Sequence, residues 1–153
     1  MKRTCLSVLL AVFMAGSAFA QFGRQVDNGP KSLKDAYDGY FTIGVAVNQR
    51  NVSDPAQMEL IKKEFNSITA ENDMKSGELH PKEGVWNWER ADKIADFCRK
   101  NGIKLRGHCL VWHAQFCDWM MNDEKGNPVP KEVFYARLRD HIHTVVNRYK
   151  DVV

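Results

Sequence analysis

The 153-residue sequence lacks an excess of charge of either sign, because its 22 basic residues stand against 19 acidic ones. It also lacks charge runs, internal repeats and low-complexity tracts. A chain with this balance has no broad electrostatic field that would attract nucleic acid or an anionic membrane surface. We therefore expect no nucleic-acid partner, and the composition favours a neutral ligand.

Long hydrophobic runs are scarce: the longest, Cys5–Ala15, is too short to span a membrane. The basic pair Lys2–Arg3 precedes it and the small-residue signal Ala18–Ala20 follows it, which is the order of a secretory signal peptide. We expect cleavage before Gln21 and a secreted or periplasmic protein with no membrane contact after cleavage. An uncleaved signal anchor is the alternative. Removing residues 1–20 leaves 20 basic and 19 acidic residues.

Cysteine is also scarce beyond that segment. Cys98, Cys109 and Cys117 remain, and none belongs to a C-x-x-C pair. An odd number of cysteines cannot all pair within one chain, so buried free thiols are the main expectation. One disulfide is the alternative in an oxidising compartment.

Metal-binding motifs are missing as well. His80, His108 and His113 are candidate ligands, but their spacing is not that of H-E-x-x-H and no C-x-x-C accompanies them. We therefore predict no metal and no cofactor, and retain an exported metal-binding protein as an alternative.

Short apolar runs alternate with amphipathic segments after the polar lead-in at residues 21–38. The predicted order is strand Tyr40–Val47, a helix starting at Pro55, strand Phe65–Asn72, helix Trp88–Lys100, strand Ile103–Trp112, helix Lys131–Lys150 and the start of a fourth strand at Asp151–Val153. Unbroken apolar strands separated by helices indicate a parallel sheet covered by helices. The first strand–helix turn lacks G-x-G-x-x-G, which disfavours a dinucleotide-binding fold.

Polar and aromatic side chains collect at the carboxyl ends of the predicted strands, where parallel α/β proteins place their ligands. Asn48 and Gln49 follow the first strand. Glu71 and Asn72 end the second strand, and Lys75 lies just beyond it. His108, Trp112, His113 and Gln115 lie on or after the third strand. Carboxylates and amides hydrogen-bond to hydroxyls, and an indole face stacks on a sugar ring. The pattern predicts a neutral polyhydroxylated ligand.

Structural alternatives exist for several of these side chains. Period-two geometry along the third predicted strand places His108 and Trp112 on the interior side and Cys109 on the helix side. A core histidine and core-filling tryptophan are the alternatives there, and Glu71 with Lys75 would otherwise form an ordinary surface ion pair.

Three segments resemble glycoside hydrolase family 10: FTIGVAVN (Phe41–Asn48), TAENDMK (Thr69–Lys75) and the long stretch from Gly84 to Trp119. Members are secreted endo-1,4-β-xylanases built on a (β/α)8 barrel, and the resemblance extends from about Leu33 to Val153. The chain departs from the family's usual residues at Asp73, Cys109 and Ala114, which replace glutamate, threonine and serine. None of these changes falls on a ligand-contacting position of the family.

The resemblance implies an α/β fold in which residues 39–153 form the first three βα units and the start of strand four of a (β/α)8 barrel. Such a barrel needs about 250 residues, whereas 133 of the 153 remain after residues 1–20 are removed. An incomplete barrel has open sheet edges and an uncovered apolar interior. We expect the chain alone to fold poorly or to associate, and the complete enzyme to be a monomer that acts on xylan or xylo-oligosaccharides.

The resemblance also implies a role for each candidate residue. Xylose on the non-reducing side of the cleaved bond would be hydrogen-bonded by Glu71, Asn72 and Lys75. The sugar at the reaction centre would be held by His108 and Trp112, and His113 would support the catalytic carboxylates. Gln115 would reach the far side of the cleaved bond, and Asn48 would lie at the cleft mouth. Retaining members use two glutamates, and no residue here matches either, so we assign no catalytic residue. A non-catalytic xylan-binding or vestigial product is the alternative.

Overall fold

The computed structural model describes residues 32–153. Three parallel strands form one sheet in the order β1 (Gly44–Val47), β2 (Ser67–Ala70) and β3 (Lys104–Arg106). Val45 pairs with Ile68, and Ile68 pairs with Leu105 on its other side. The predicted parallel α/β sheet is therefore confirmed, whereas the predicted signal peptide at residues 1–20 lies outside the described residues.

Within residues 32–153, five α-helices and two short 3-10 turns surround this sheet. They are α1 (Leu33–Ala36), α2 (Pro55–Glu64), α3 (Ser76–Leu79), α4 (Glu89–Asn101), α5 (Lys131–Tyr149) and the turns Asn51–Ser53 and Asp118–Met120. α2 starts at Pro55 as predicted, and Asp54 caps it, because its carboxylate accepts a hydrogen bond from the Gln57 backbone N–H at 2.8 Å. Gly102 ends α4 in the left-handed conformation, with φ of 63°.

The core lies between the sheet and α4. The strands contribute Ile68, Ala70 and Leu105, and α4 contributes Ala91, Ile94, Ala95 and Cys98, all of them buried. The spacing of the α4 residues places them on one face of the helix, as the sequence predicted. In the part of the chain that is described, no helix is long and apolar enough to cross a membrane.

The third predicted strand is wrong in its extent. β3 ends at Arg106 instead of Trp112, and residues 107–117 form an irregular loop that includes a cis peptide bond between His108 and Cys109. His108 and Trp112 are therefore not strand residues, and the prediction that strand alternation places both on the interior side is wrong.

Three smaller predictions also change. The structure has α3 between the second predicted strand and the helix at Trp88–Lys100, where no element was predicted, and the lead-in contains α1. Asp151–Val153 is not a strand, although the Leu105 N–H donates to the Val152 carbonyl oxygen at 3.1 Å.

An apolar cavity of about 260 Å³ lies beside β3, lined by side chains that include Met74, Leu110, Val145 and Val153. Within residues 32–153, β1 pairs only with β2 and leaves its other edge unpaired. We expect the 153-residue chain, expressed alone, to associate through these surfaces. Light scattering after gel filtration measures this. A monomer with a cooperative thermal transition in circular dichroism would contradict it.

Candidate functional site

Lys75 is the centre of the candidate site. Its side chain is only 8% exposed. The Nζ atom donates hydrogen bonds to Asn72 Oδ1 at 2.8 Å and to Gln115 Oε1 at 2.5 Å. It also lies 4.5 Å from the centroid of the Trp112 ring. The structure thus brings together four predicted residues, Lys75, Asn72, Gln115 and Trp112, which we call the Lys75 cluster. Lys75 contacts two amides and an indole and does not form the alternative surface ion pair with Glu71.

Asn48 and Glu71 lie side by side at the ends of β1 and β2. The Glu71 N–H donates to the Val47 carbonyl oxygen at 2.9 Å, which continues the strand pairing and aligns the two residues. The Asn48 Nδ2 atom donates to Glu71 Oε2 at 3.2 Å. The Asn48 backbone is fixed in turn, because its N–H donates to Asn51 Oδ1 at 2.7 Å. The Glu71 carboxylate remains exposed and can accept hydrogen bonds from hydroxyl groups.

Trp112, His113 and His108 all lie in the loop after β3. Trp112 is 38% exposed, so part of its side chain is accessible to a ligand. His113 meets it edge to face, with 5.3 Å between the ring centroids. His108 is half-buried, and no side-chain hydrogen bond within residues 32–153 connects it to the Lys75 cluster. The structure therefore joins His113 to the cluster through Trp112, but it does not join His108.

A polar cleft of about 310 Å³ runs beside this cluster. Its lining residues are Asn48, Gln49, Arg50, Asn72, Asp73, Glu78, Arg90 and Gln115. Sequence reasoning missed several of them. The buried Asp73 carboxylate accepts a hydrogen bond from the Gln49 N–H at 2.6 Å and so joins the loops after β1 and β2. The position of Asp73 inside the segment TAENDMK could have marked it as a site residue. No local sequence feature indicated that the Arg90 guanidinium on α4 would donate to the Glu78 carboxylate at 3.0 Å.

Gly77 allows the loop carrying Trp112 to approach α3 closely. The Gly77 N–H donates to the Gln115 carbonyl oxygen at 3.0 Å, and Gln115 itself adopts a positive φ of 55°. A Cβ atom at Gly77 would lie 2.7 Å from that oxygen, which is closer than real Cβ contacts allow. Only glycine fits here without moving the backbone that positions the Gln115 side chain.

We expect Gly77→Ala to lower the free energy of unfolding by about 1–3 kcal/mol, because the added methyl group overpacks this contact. Chemical denaturation of the complete protein measures the change. Gly44→Ala is the matched control, since a Cβ there meets Ser67 at an ordinary 3.5 Å, and we expect an effect below about 0.5 kcal/mol. Equal effects at the two glycines would contradict the steric argument.

A buried histidine pair lies outside the cleft. His80 and His141 are 1% and 0% exposed, and their Nδ1 atoms lie 3.4 Å apart. The His80 ring stacks on Trp86 with 3.6 Å between centroids. Burial, with a smaller contribution from His141, lowers the pKa of His80 to about 4. Burial also lowers the pKa of His141, so both imidazoles are neutral at physiological pH.

All three cysteines in the described residues are free thiols: Cys98 and Cys117 are buried and Cys109 is half-buried. Burial raises the pKa of Cys98 to about 11 and also raises that of Cys117. Neither buried thiol is therefore an activated nucleophile. Within residues 32–153, no group of three or more histidine, cysteine, aspartate or glutamate side chains is arranged to hold a metal ion.

Comparison with known proteins identifies the family of the chain. The model of the family described as glycosyl hydrolase family 10 matches residues 32–153. The chain is 66% identical to the endo-1,4-beta-xylanase/feruloyl esterase of Xylanibacter ruminicola, over 100% of this chain and 21% of that protein. It is 46% identical to endo-1,4-beta-xylanase B of Paenibacillus barcinonensis, over 80% of this chain and 36% of that protein.

Solved structures give the same result. A psychrophilic glycoside hydrolase family 10 endo-beta-1,4-xylanase is 63% identical and has a TM-score of 0.78, over 80% of this chain and 38% of that one. A mutant structure in complex with xylotriose is 45% identical with a TM-score of 0.76, over 80% of this chain and 37% of that one. The chain therefore spans about one fifth to two fifths of these relatives. Taken with the family match across residues 32–153, the likeness shows that the chain belongs to glycosyl hydrolase family 10.

Proposed function

We propose that this chain is the amino-terminal, substrate-binding part of an exported, retaining endo-1,4-β-xylanase. Residues 39–153 form the first three βα units of its (β/α)8 barrel, and Asp151–Val153 leads into strand four. The complete enzyme hydrolyses internal β-1,4 bonds of xylan as a monomer and without a metal or cofactor. The two glutamates of the retaining mechanism lie outside these residues, so the chain alone does not turn over xylan.

The Lys75 cluster is the observation that carries this proposal. Lys75 is held by two amide oxygens, and its Nζ atom lies over the partly exposed Trp112 ring. A single fixed ammonium group among amides recognises hydroxyl groups, and the adjacent indole supplies a stacking surface for a pyranose ring. Asn48 and Glu71 extend the same row of hydrogen-bonding groups along the polar cleft.

Each remaining site residue has a place in this proposal. Glu71, Asn72 and Lys75 bind xylose hydroxyls on the non-reducing side of the cleaved bond, and Asn48 binds at the cleft mouth. His108 and Trp112 hold the sugar at the reaction centre, and Gln115 reaches across the cleaved bond. His113, which packs edge to face on Trp112, supports the catalytic carboxylates.

The test is to assay the complete gene product and the 153-residue chain in parallel with linear xylo-oligosaccharides. We expect the complete product to release shorter oligosaccharides whose new reducing ends are first in the β-configuration by proton NMR, as retention requires. We expect the 153-residue chain to release none.

Three results would overturn the proposal. Binding of xylo-oligosaccharides by the complete product without hydrolysis would favour a binding or vestigial protein. Initial release of α-anomers would exclude retention. Loss of hydrolysis on dialysis against a chelator would favour a metal-dependent protein.

A further inference from the structure

The buried pair His80 and His141 has no part in the proposed sugar contacts, yet it is connected to them. His80 follows α3 directly, and His141 lies in the middle of α5. Their Nδ1 atoms are 3.4 Å apart. The other ring nitrogen of His141, Nε2, lies 3.1 Å from the carbonyl oxygen of Leu110. The pair therefore forms a chain of contacts that ends on the loop after β3.

The partners determine which nitrogen carries the proton in each ring. A carbonyl oxygen only accepts hydrogen bonds, so His141 must carry its proton on Nε2 to donate to Leu110. The Nδ1 atom of His141 is then a bare acceptor, and it takes the Nδ1–H of His80. This leaves Nε2 of His80 without a proton. Within residues 32–153 that nitrogen is the buried side-chain atom without a hydrogen-bond partner.

The indole loop, defined as Leu110–Gln115, is held at both ends. Its first carbonyl oxygen accepts from His141, and its last accepts from the Gly77 N–H at 3.0 Å. Trp112 and His113 lie between these two anchors. Because residues 107–117 have no regular strand pairing, the two hydrogen bonds replace the backbone ladder that a strand would have provided. They place the Trp112 ring next to Lys75.

His80 strengthens the first anchor. Its backbone carbonyl oxygen accepts a hydrogen bond from the Trp119 indole N–H at 2.8 Å. Its ring stacks on Trp86, with 3.6 Å between centroids, and its centroid lies 5.6 Å from that of His141. Both the main chain and the side chain of His80 are thus fixed by aromatic neighbours. The His141 ring has little freedom to turn away from Leu110.

We propose that His141 is a positioning residue for sugar binding, which fixes the indole loop through the Leu110 carbonyl and is itself held in the required tautomer by His80. The kinetic part of this inference rests on the proposed function. His141 does not touch the sugar. Its effect reaches the substrate through the placement of Trp112, so it acts on binding more than on the chemical step.

Two isosteric variants of the complete protein separate positioning from simple packing. In His141→Gln the amide nitrogen occupies the place of Nε2 and still donates to Leu110. In His141→Asn the amide nitrogen occupies the place of Nδ1 and cannot reach that carbonyl. We expect His141→Asn to raise KM for xylo-oligosaccharides about tenfold with kcat changed less than about threefold, and His141→Gln to stay within about threefold of the parent for both.

A control and a second readout keep the outcome clear. His143→Asn makes the same change on the exposed side of α5 and should leave KM unchanged. Imidazole ¹⁵N spectra of the histidine-labelled protein should show the Nε2–H tautomer for His141 and the Nδ1–H tautomer for His80. Equal KM values for the Gln and Asn variants would overturn the proposal, and so would the opposite tautomer of His141. A parent protein without hydrolysis would overturn the proposed function, while the spectra would still test the tautomers.

Discussion

We expect the Lys75→Met substitution to lower kcat/KM of the proposed complete enzyme on linear xylo-oligosaccharides by about 50-fold. Methionine keeps most of the apolar stem but removes all three N–H donors. In the structure two of these donors hold Asn72 and Gln115. Hydrogen bonds made by charged groups contribute about 1.5–3 kcal/mol, which corresponds to about 10–150-fold in affinity.

The loss extends beyond the ammonium group itself. Without Lys75 Nζ, the amides of Asn72 and Gln115 lose a shared partner, and Trp112 loses the cation 4.5 Å from its ring. Groups that act as one unit give effects larger than any single contact. We therefore expect both kcat and KM to change.

Lys93→Met is the matched control for this substitution. Lys93 is exposed on α4 and forms one surface ion pair, with Glu89 at 3.0 Å. Such pairs contribute little, and we expect kcat/KM within about twofold of the parent. Initial rates of oligosaccharide release measure both variants. Equal rates for the two lysine variants would show that the Lys75 cluster does not bind substrate.

Much of the fold could be predicted from the sequence because its signals are local. Asp54 and Pro55 mark the start of α2, and Gly102 marks the end of α4. The unbroken apolar runs indicated buried parallel strands, and the sheet order β1-β2-β3 follows the chain order. Capping and periodicity operate over a few residues, so one sequence carries them in full.

The third strand shows where local signals fail. The apolar pattern after Ile103 continues to Trp112, but β3 ends at Arg106. The loop that follows is fixed by long-range contacts to His141 and Gly77, which hydrophobicity cannot reveal.

In the candidate site, too, some residues could be predicted from local signals and others depend on long-range packing. The residues Asn48, Glu71, Asn72 and Lys75 lie at or just after predicted strand ends. The structure places them in two hydrogen-bonded pairs, Asn48 with Glu71 and Lys75 with Asn72. The role of Asp73 in joining two loops, and the reach of Arg90 across to Glu78, depend on how separate elements pack. The histidine pair is the largest omission, because His80 and His141 are 61 residues apart in the sequence.

We expect the stability of the complete protein to fall as the pH drops from about 6.5 to about 4, with His80 as one cause. An unfolded histidine has a pKa of about 6.5, whereas the buried His80 has a pKa of about 4. Above pH 6.5 the ring is neutral in both states, so its contribution is fully present. Between the two values the unfolded state binds the proton and the folded state does not, which favours unfolding.

The groups around His80 are consistent with a lowered pKa and with a loss of stability in acid. Burial and the neighbouring His141 lower its pKa, and the carboxylates of Asp140 and Glu83 oppose them without prevailing. Arg137 also offsets Glu83, because its guanidinium pairs with that carboxylate at 2.8 Å. The lowered pKa of His141 adds to the loss in the same direction.

Each pKa unit corresponds to about 1.4 kcal/mol, so His80 alone accounts for about 3 kcal/mol between pH 6.5 and 4.

His80→Phe keeps the aromatic stack on Trp86 but cannot bind a proton. It should be less stable than the parent at pH 7, because His141 Nδ1 loses its donor, and yet lose less stability on acidification. Urea denaturation at several pH values measures the free energy of unfolding of the parent and the variant, and hence the slope of each against pH. His143→Phe, on the exposed side of α5, should keep the parent slope. A His80→Phe slope equal to that of the parent would assign the acid sensitivity to other groups.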